Sequence, residues 1–488
     1  MRITNVMMTN TMLLNIKRNV EYVDQLYGQI STAKKIQVPS DDPITAARAL
    51  KFRSSVAETT KFQRNSSQGM AWMDVSEGAY NNVVNIMKSI KDRCVEAANG
   101  TLEAADRQAV ATQIRQMVQQ LGTEMNVTYA GRYMFSGLRT NEPPVFVRSN
   151  AKSYQINQVF TVDDIEKTKS YQRFERDAPV IADSPLASDT TPYKPIVFDT
   201  AFFKLPYSYV DIIDDEIGGY RVVTANTGDD VIHDSVANKN YNPYDSAEIP
   251  AGAIVYIEDT GELVMNASDA AGFAGKALNV TYNKTGYEAG ELNPIVYFNC
   301  VDLETNTDYY MDAQDIAYEF GVNTRVNINS LAKNVYTDKM YADLNDLCSF
   351  MERVTLSDSK QLTVKYSGPP YNLSGDALIQ AANRQASDER AQLSNVLHDR
   401  FNNMLNMCDR HIANISREQT DMGARMNRLD LISVRLAQDE GSYKKLMSDN
   451  EDTDMMEAIM YKSNAEAVYQ ASLKAGASII QMTLSNFI

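Results

Sequence analysis

Near the start of the chain, apolar residues recur at alternating steps of three and four. Leu13, Ile16, Val20, Val23, Tyr27 and Ile30 follow this rule. Such spacing keeps one strip on one face of a helix, as in a coiled-coil seam. The pattern breaks at Pro39-Ser40-Asp41-Asp42-Pro43. Asp42 is placed to accept from the free amides of a helix start, and Pro43 stands where a missing N–H costs nothing. A second, longer helix is therefore predicted from about residue 43. Met73, Ser76, Tyr80, Val83, Met87, Ile90, Cys94 and Ala97 carry the same steps through its later half, and Asn99-Gly100 supplies a left-handed stop. Val110, Ile114, Met117, Leu121 and Met125 mark a third helix that should stop near Gly131.

The last hundred residues repeat the theme. Leu405, Cys408, Ile412, Ile415, Gln419, Met422, Met426 and Leu429 step by three and four, with Gln419 as a polar interruption that sets register. The stretch from about 388 to 440 has no Pro and a single Gly, and reads as one helix of about 50 residues, about 75 Å long at 1.5 Å per residue. After the acidic run Asp449–Asp454, whose charge favours a helix start, a last helix carries Val468, Ala471, Ala475, Ile479 and Met482 on its seam.

Between about 150 and 385 the helical period disappears. Val322, Thr324, Val326 and Ile328 alternate with polar residues, as do Leu278, Val280 and Tyr282. Ile254–Ile257 and Leu263–Met265 flank Asp259-Thr260-Gly261 as a hairpin, and Gly218-Gly219 marks another turn. The fold class is thus α+β: a long antiparallel helical bundle made by the N- and C-terminal arms, with a β-rich region inserted in the middle. Five segments follow: an assembly helix over 1–38, an N-terminal rod arm over 39–150, the β-rich insert over 151–385, a C-terminal rod arm over 386–449 and a second assembly helix over 450–488.

Burial separates two roles. Met73, Tyr80, Val83, Met87, Ile90 and Cys94 should form the rod core with Leu405, Cys408, Ile412, Ile415, Met422, Met426 and Leu429, each buried side chain contributing about 1.5–3 kcal/mol. The outer helices have no partner in that bundle, and isolated helices of their length are marginal in water. Leu13, Ile16, Val20, Val23, Tyr27 and Ile30, with Val468, Ala471, Ala475, Ile479, Met482, Phe487 and Ile488, are therefore expected to stay uncovered until neighbouring copies pack on them. That makes the chain a self-assembling structural protein.

Composition narrows the alternatives. The 488 residues carry a net charge of −16, which lacks the dense Lys/Arg footprint of a nucleic-acid partner. No run of about 18 apolar residues is present to insert in a membrane, and the first twenty residues lack the apolar core of a cleaved signal peptide. The four cysteines lie far apart and the three histidines form no H-E-x-x-H motif, so no catalytic residue, cofactor or metal site is assigned. Cys94 and Cys408 both fall on seam positions, where a thiol packs as a small hydrophobe; a disulfide between them requires the two helices to pair in matching register.

Several motifs carry a resemblance. The opening Arg2-Ile3-Thr4-Asn5, the segment Ile30-Ser31-Thr32-Ala33-Lys34-Lys35-Ile36 with Pro39-Ser40-Asp41-Asp42-Pro43, the run Gly131-Arg132-Tyr133-Met134-Phe135-Ser136-Gly137 and the ending Leu484-Ser485-Asn486-Phe487-Ile488 resemble the flagellin superfamily of bacterial flagellar axial proteins. Within it they are closest to the hook–filament junction proteins, the hook-associated protein 3 family. Flagellins usually carry "DDAAGLAI" where this chain has Asp41-Asp42-Pro43-Ile44, and more often end on a leucine pair. The resemblance covers about residues 1–145 and 385–488. It implies an extracellular, flagellar location reached by type III export without a cleaved signal. It implies a ring of copies between hook-associated protein 1 and flagellin, and a cytoplasmic export chaperone holding residues 450–488. The bulk filament subunit, flagellin, is the alternative.

Overall fold

The computed structural model describes residues 5–98, 104–172, 196–226, 232–312, 314–321, 323–353, 367–368 and 372–485. The helices are α1 (Asn5–Thr32), α2 (Pro43–Ala98), α3 (Ala104–Met125), α4 (Ala267–Ala271), α5 (Pro294–Tyr297), α6 (Ala332–Val335), α7 (Asp338–Arg353), α8 (Gly375–Glu451) and α9 (Met455–Ser485). Two compact units emerge, one from residues 1–69, 318–326 and 427–488, the other from 70–317 and 327–426.

Local chemistry explains the helix ends. Asp42 Oδ1 accepts from the amides of Ile44 (3.0 Å) and Thr45 (3.2 Å), so α2 begins at the expected aspartate–proline pair. Asp454 Oδ1 accepts from Met456 (3.0 Å) and Glu457 (3.2 Å) and starts α9 in the same way. The stop assigned to Asn99-Gly100 lies outside the described residues. The helix α3 ends at Met125, six residues before Gly131, because residues 128–133 turn back as a small hairpin of β1 (Thr128–Tyr129) and β2 (Arg132–Tyr133).

The larger unit holds the β-rich region. Its strands continue as β3 (Asn150–Phe160), β4 (Glu166–Gln172), β5 (Ile196–Lys204), β6 (Asp211–Ile212), β7 (Glu216–Ile217), β8 (Tyr220–Ala225), β9 (Ile232–Asp234), β10 (Lys239–Tyr241), β11 (Ala253–Ile257), β12 (Glu262–Met265), β13 (Leu278–Tyr287), β14 (Asn299–Asp302) and β15 (Thr307–Tyr309). One sheet runs β4-β5-β12-β11-β8-β7 and a second runs β15-β14-β3-β13-β6. The expected hairpin is present as β11–β12, with Ile254 opposite Met265 and Ile257 opposite Glu262. Gly218 and Gly219 both take positive φ in the turn between β7 and β8. Phe202, Tyr241, Tyr244, Val255, Ile257 and Val264 pack together on the first sheet.

The alternating run from 322 to 328 is half of a hairpin rather than a single strand. Ala317–Gly321 (β16) and Thr324–Asn327 (β17) pair across Asn323, which takes φ 59°. Val322 lies outside the described residues. The end of the insert is also more helical than the period suggested. The helix α8 starts at Gly375 rather than near 386, and α7 fills Asp338–Arg353. The amide of Met340 donates to Thr337 Oγ1 at 3.0 Å, a side-chain cap at the start of α7.

Within the larger unit α2 and α8 run antiparallel. Gln419 Nε2 donates to Asn81 Oδ1 (2.9 Å), Lys91 Nζ meets Asp409 Oδ1 (2.5 Å), and His398 Nδ1 lies 3.0 Å from the Ala98 carbonyl. Met73, Tyr80, Val83, Met87, Ile90 and Cys94 are fully buried on α2, and Cys408, Ile415 and Met422 are buried on α8; Leu429, also buried, belongs to the smaller unit. Leu405, Ile412 and Met426 are only half-buried. The preceding residues Met404 and His411 are buried in place of the first two, while Arg425 is half-buried like Met426. The inner face of α8 is polar there because its partners are polar. His411 Nε2 lies 2.7 Å from Asp343 Oδ2 on α7, and Arg425 donates to the Asn329 carbonyl at 3.0 Å.

Candidate assembly surface

The terminal helices belong to the smaller unit. There α1 and α9 pack on each other. Asn19 Nδ2 donates to Ser472 Oγ (3.1 Å), and the Tyr27 hydroxyl donates to Glu466 Oε1 (2.8 Å) while Lys462 Nζ sits 4.3 Å from the centre of the Tyr27 ring. The sequence pattern led to the expectation that these helices stay uncovered; in the structure each covers one side of the other. The side of α9 turned to α1 carries Ala458, Ala465, Ser472 and Gly476 at steps of seven and four. Small side chains let the helices approach closely: a Cβ added at Gly476 would stand 2.5 Å from Met12 Cε.

On α1 the residues facing inward are Met12, Ile16, Asn19, Val23, Leu26 and Ile30. Ile16, Val23 and Ile30 were read from the sequence as seam positions. The intervening positions shift by one, so that Leu13, Val20 and Tyr27 remain exposed beside the paired strip. On α9 the described part of the predicted strip lies off the pairing face. Val468 is 53% exposed, and Ala471 and Ala475 are exposed with it. Met456, at 81%, with Ile459 and Met460, exposes further apolar surface around the same helix. A helix apolar on nearly every side is ordinarily a buried helix. The side chains of Ile479 and Met482, and the whole of Phe487 and Ile488, lie outside the described residues.

The helix pair is tied down by the segment that reads Ala33-Lys34-Lys35. The Lys35 amide donates to the Glu451 carbonyl (2.7 Å) and the Thr453 amide to the Ala33 carbonyl (3.0 Å). Ala33 takes φ 56°, a left-handed conformation disfavoured for a residue with a Cβ and retained where surrounding bonds fix it. The Glu451 carboxylate is 2% exposed and lies 2.7 Å from Arg53 and 3.2 Å from Lys34. Lys34 also meets Asp452 Oδ1 at 2.6 Å. The Arg53 guanidinium holds the Glu451 carboxyl below its usual range, and Lys34 does the same for Asp452. The sequence pattern missed this clamp because its parts, Lys34, Arg53 and Glu451, are far apart in the chain, and Glu451 was legible only as one member of the acidic run Asp449–Asp454.

In the larger unit, the Gly131–Gly137 motif is also structural. Phe135 is fully buried with its ring 5.9 Å from that of Tyr80, and its carbonyl accepts from the Ala332 amide at 2.8 Å. Among the described residues no helix is long and apolar enough to cross a membrane.

Residues 3–140 match the family model described as the bacterial flagellin N-terminal helical region. Over 145 residues the chain is 30% identical to flagellar hook-associated protein 3 of Salmonella typhimurium, covering 30% of this chain and 46% of that one. Over 120 residues it is 32% identical to the Escherichia coli K12 protein of the same name, covering 24% and 38%. The chain thus spans less than half the length of these two relatives. Flagellin of Salmonella typhimurium is 21% identical over 504 positions, covering 96% of this chain and 95% of that one. A solved putative flagellar hook-associated protein from Vibrio parahaemolyticus is similar at TM-score 0.37 and 12% identity, covering 84% of this chain and 100% of that one, too distant to build on.

Proposed function

We propose that this chain is a structural subunit of the bacterial flagellum, placed as a ring at the junction between the hook and the flagellin filament. The observation that carries the reading is α9, apolar around its circumference yet covered on one side by α1, in a chain whose first 140 residues match the flagellin N-terminal helical region. Surface of that kind is stable in water once other helices cover it. Leu13, Val20 and Tyr27 on α1, with Val468, Ala471 and Ala475 on α9, are the residues we assign to contacts between copies, and from the sequence pattern alone we assign Ile479, Met482, Phe487 and Ile488 with them. The neighbours in this reading are further copies, hook-associated protein 1 below and flagellin above. Residues 450–488 are held by an export chaperone before the chain leaves the cell without losing a signal peptide.

Deleting the gene and imaging the cells tests the junction role. Bare hooks with flagellin shed into the medium are expected; filaments of normal length would overturn it. The second reading, bulk flagellin, is favoured by the alignment that runs along 96% of this chain. Stoichiometry separates the two, since a junction subunit is scarce in purified flagella and flagellin dominates them. A pull-down in which removal of 450–488 leaves the chaperone bound would count against the proposed chaperone contact.

A further inference from the structure

All four cysteines are buried in the larger unit, and three of them lie on helices: Cys94 on α2, Cys348 on α7 and Cys408 on α8. Among the described residues no group of three His, Cys, Asp or Glu converges to hold a metal ion. Two of these thiols face each other. Cys94 and Cys408 are both 0% exposed, on helices whose antiparallel register is fixed on either side of them. Lys91, one turn before Cys94, meets Asp409, next to Cys408, and Ala98, one turn after Cys94, meets His398. The closeness of the Cys408 thiol, together with burial, pushes the Cys94 pKa far above the usual thiol value. The matching register that a cross-link requires is therefore present.

We propose that Cys94 and Cys408 form a covalent cross-link site that locks the N-terminal arm to the C-terminal arm under oxidising conditions. The chemistry is thiol–disulfide exchange with a small-molecule disulfide. One cysteine thiolate attacks the small disulfide and releases one equivalent of its thiol. The second cysteine, after losing its proton, attacks the mixed disulfide, forms the Cys94–Cys408 bond and releases the second thiol. The two cysteines lose two electrons and two protons, and the small disulfide takes up both. A buried thiol with a raised pKa reacts slowly, since the thiolate is the attacking species. The link therefore forms while the chain is folding or opening, and once formed it is shielded from reductant. It closes a loop of more than three hundred residues, a length at which constraint of the unfolded chain is large.

The test uses the full chain. It is unfolded, refolded with and without oxidised glutathione, alkylated under denaturing conditions and mapped by mass spectrometry. The expected result is a linked peptide pair containing Cys94 and Cys408, faster migration on a non-reducing gel, and a thermal midpoint raised by several degrees over the reduced protein. Cys348→Ala should leave the link forming and Cys94→Ala should abolish it, with circular dichroism checking that each variant folds. A link from Cys94 to Cys348, glutathione left on both seam cysteines, or full alkylation of both after oxidative refolding would each overturn the proposal, and these outcomes are read on the parent chain whether or not a variant folds.

Discussion

At the scale of single residues, charge burial decides what is sensitive. Glu451 is nearly enclosed and bridges Lys34 and Arg53, so it joins three distant parts of the chain through one carboxylate. Replacing Glu451 with Gln should speed hydrogen exchange of the Lys35 and Thr453 amides at least about tenfold, about 1.4 kcal/mol, a modest value because the two cations regain water. The pH response follows from the same contacts. Glu451 and Asp452 are both held below their unfolded values, so the stability they contribute is present above about pH 4 and is lost as pH falls through the depressed folded values. Protection of those two amides should therefore collapse below about pH 4, and Glu451→Gln should flatten the response. The pair on α7 and α8 behaves differently. Burial pushes Asp343 up to about 6 and His411 down to about 4. A raised carboxyl costs stability as pH rises through that range, whereas a depressed imidazole gains it, so the two oppose each other. Asp343→Asn keeps an oxygen for His411 and removes one of the opposing groups. Its urea midpoint should rise more steeply between pH 4 and 6 than that of the parent, and an unchanged slope would contradict the assignment.

At the scale of elements, the terminal helices show what a three-four pattern can and cannot reveal. The breaks were legible because Asp42-Pro43 and Asp454 act locally, through hydrogen bonds to the next amides. The hairpin of β11 and β12 was legible because its turn needs Gly261 at φ 75°, with the Tyr207 carbonyl 2.4 Å from where a Cβ would stand. The facing of each helix was only half legible. On α1 and on α8 every second seam position was right, and others moved by one residue to Met12, Asn19 and Leu26, and to Met404 and His411. Hydrophobicity favoured Val20 and Ile412, but partners decided the outcome: Asn19 finds Ser472 and His411 finds Asp343. Those partners come from distant segments that a one-dimensional pattern does not contain. The shift also leaves apolar side chains over for assembly. Val468→Glu, on the exposed side of α9, should leave monomer helicity unchanged yet fail to restore filaments in cells lacking the gene. Ala465→Glu, on the side packed against α1, should instead lower monomer helicity by parting the pair.

At the scale of the whole molecule, the division into two units assigns folding and assembly to different parts of the chain. The larger unit has its own aromatic and aliphatic core around Phe202, Tyr241 and Val264, two sheets, and the enclosed helix α7. The smaller unit keeps much of its apolar area on the outside, where Leu13, Leu14, Leu431, Met456 and Val468 are exposed. A chain lacking residues 1–38 and 450–488 loses α1 and α9 while the sheets keep their interior contacts. Its near-ultraviolet circular dichroism and thermal transition should stay close to those of the larger unit in the full chain. In cells lacking the gene it should leave hooks without filaments. The two readouts separate the explanations. A truncated chain that unfolds would mean the terminal helices are needed for the fold itself. One that stays folded and still supports filaments would move the contacts between copies off α1 and α9 and into the β-rich region.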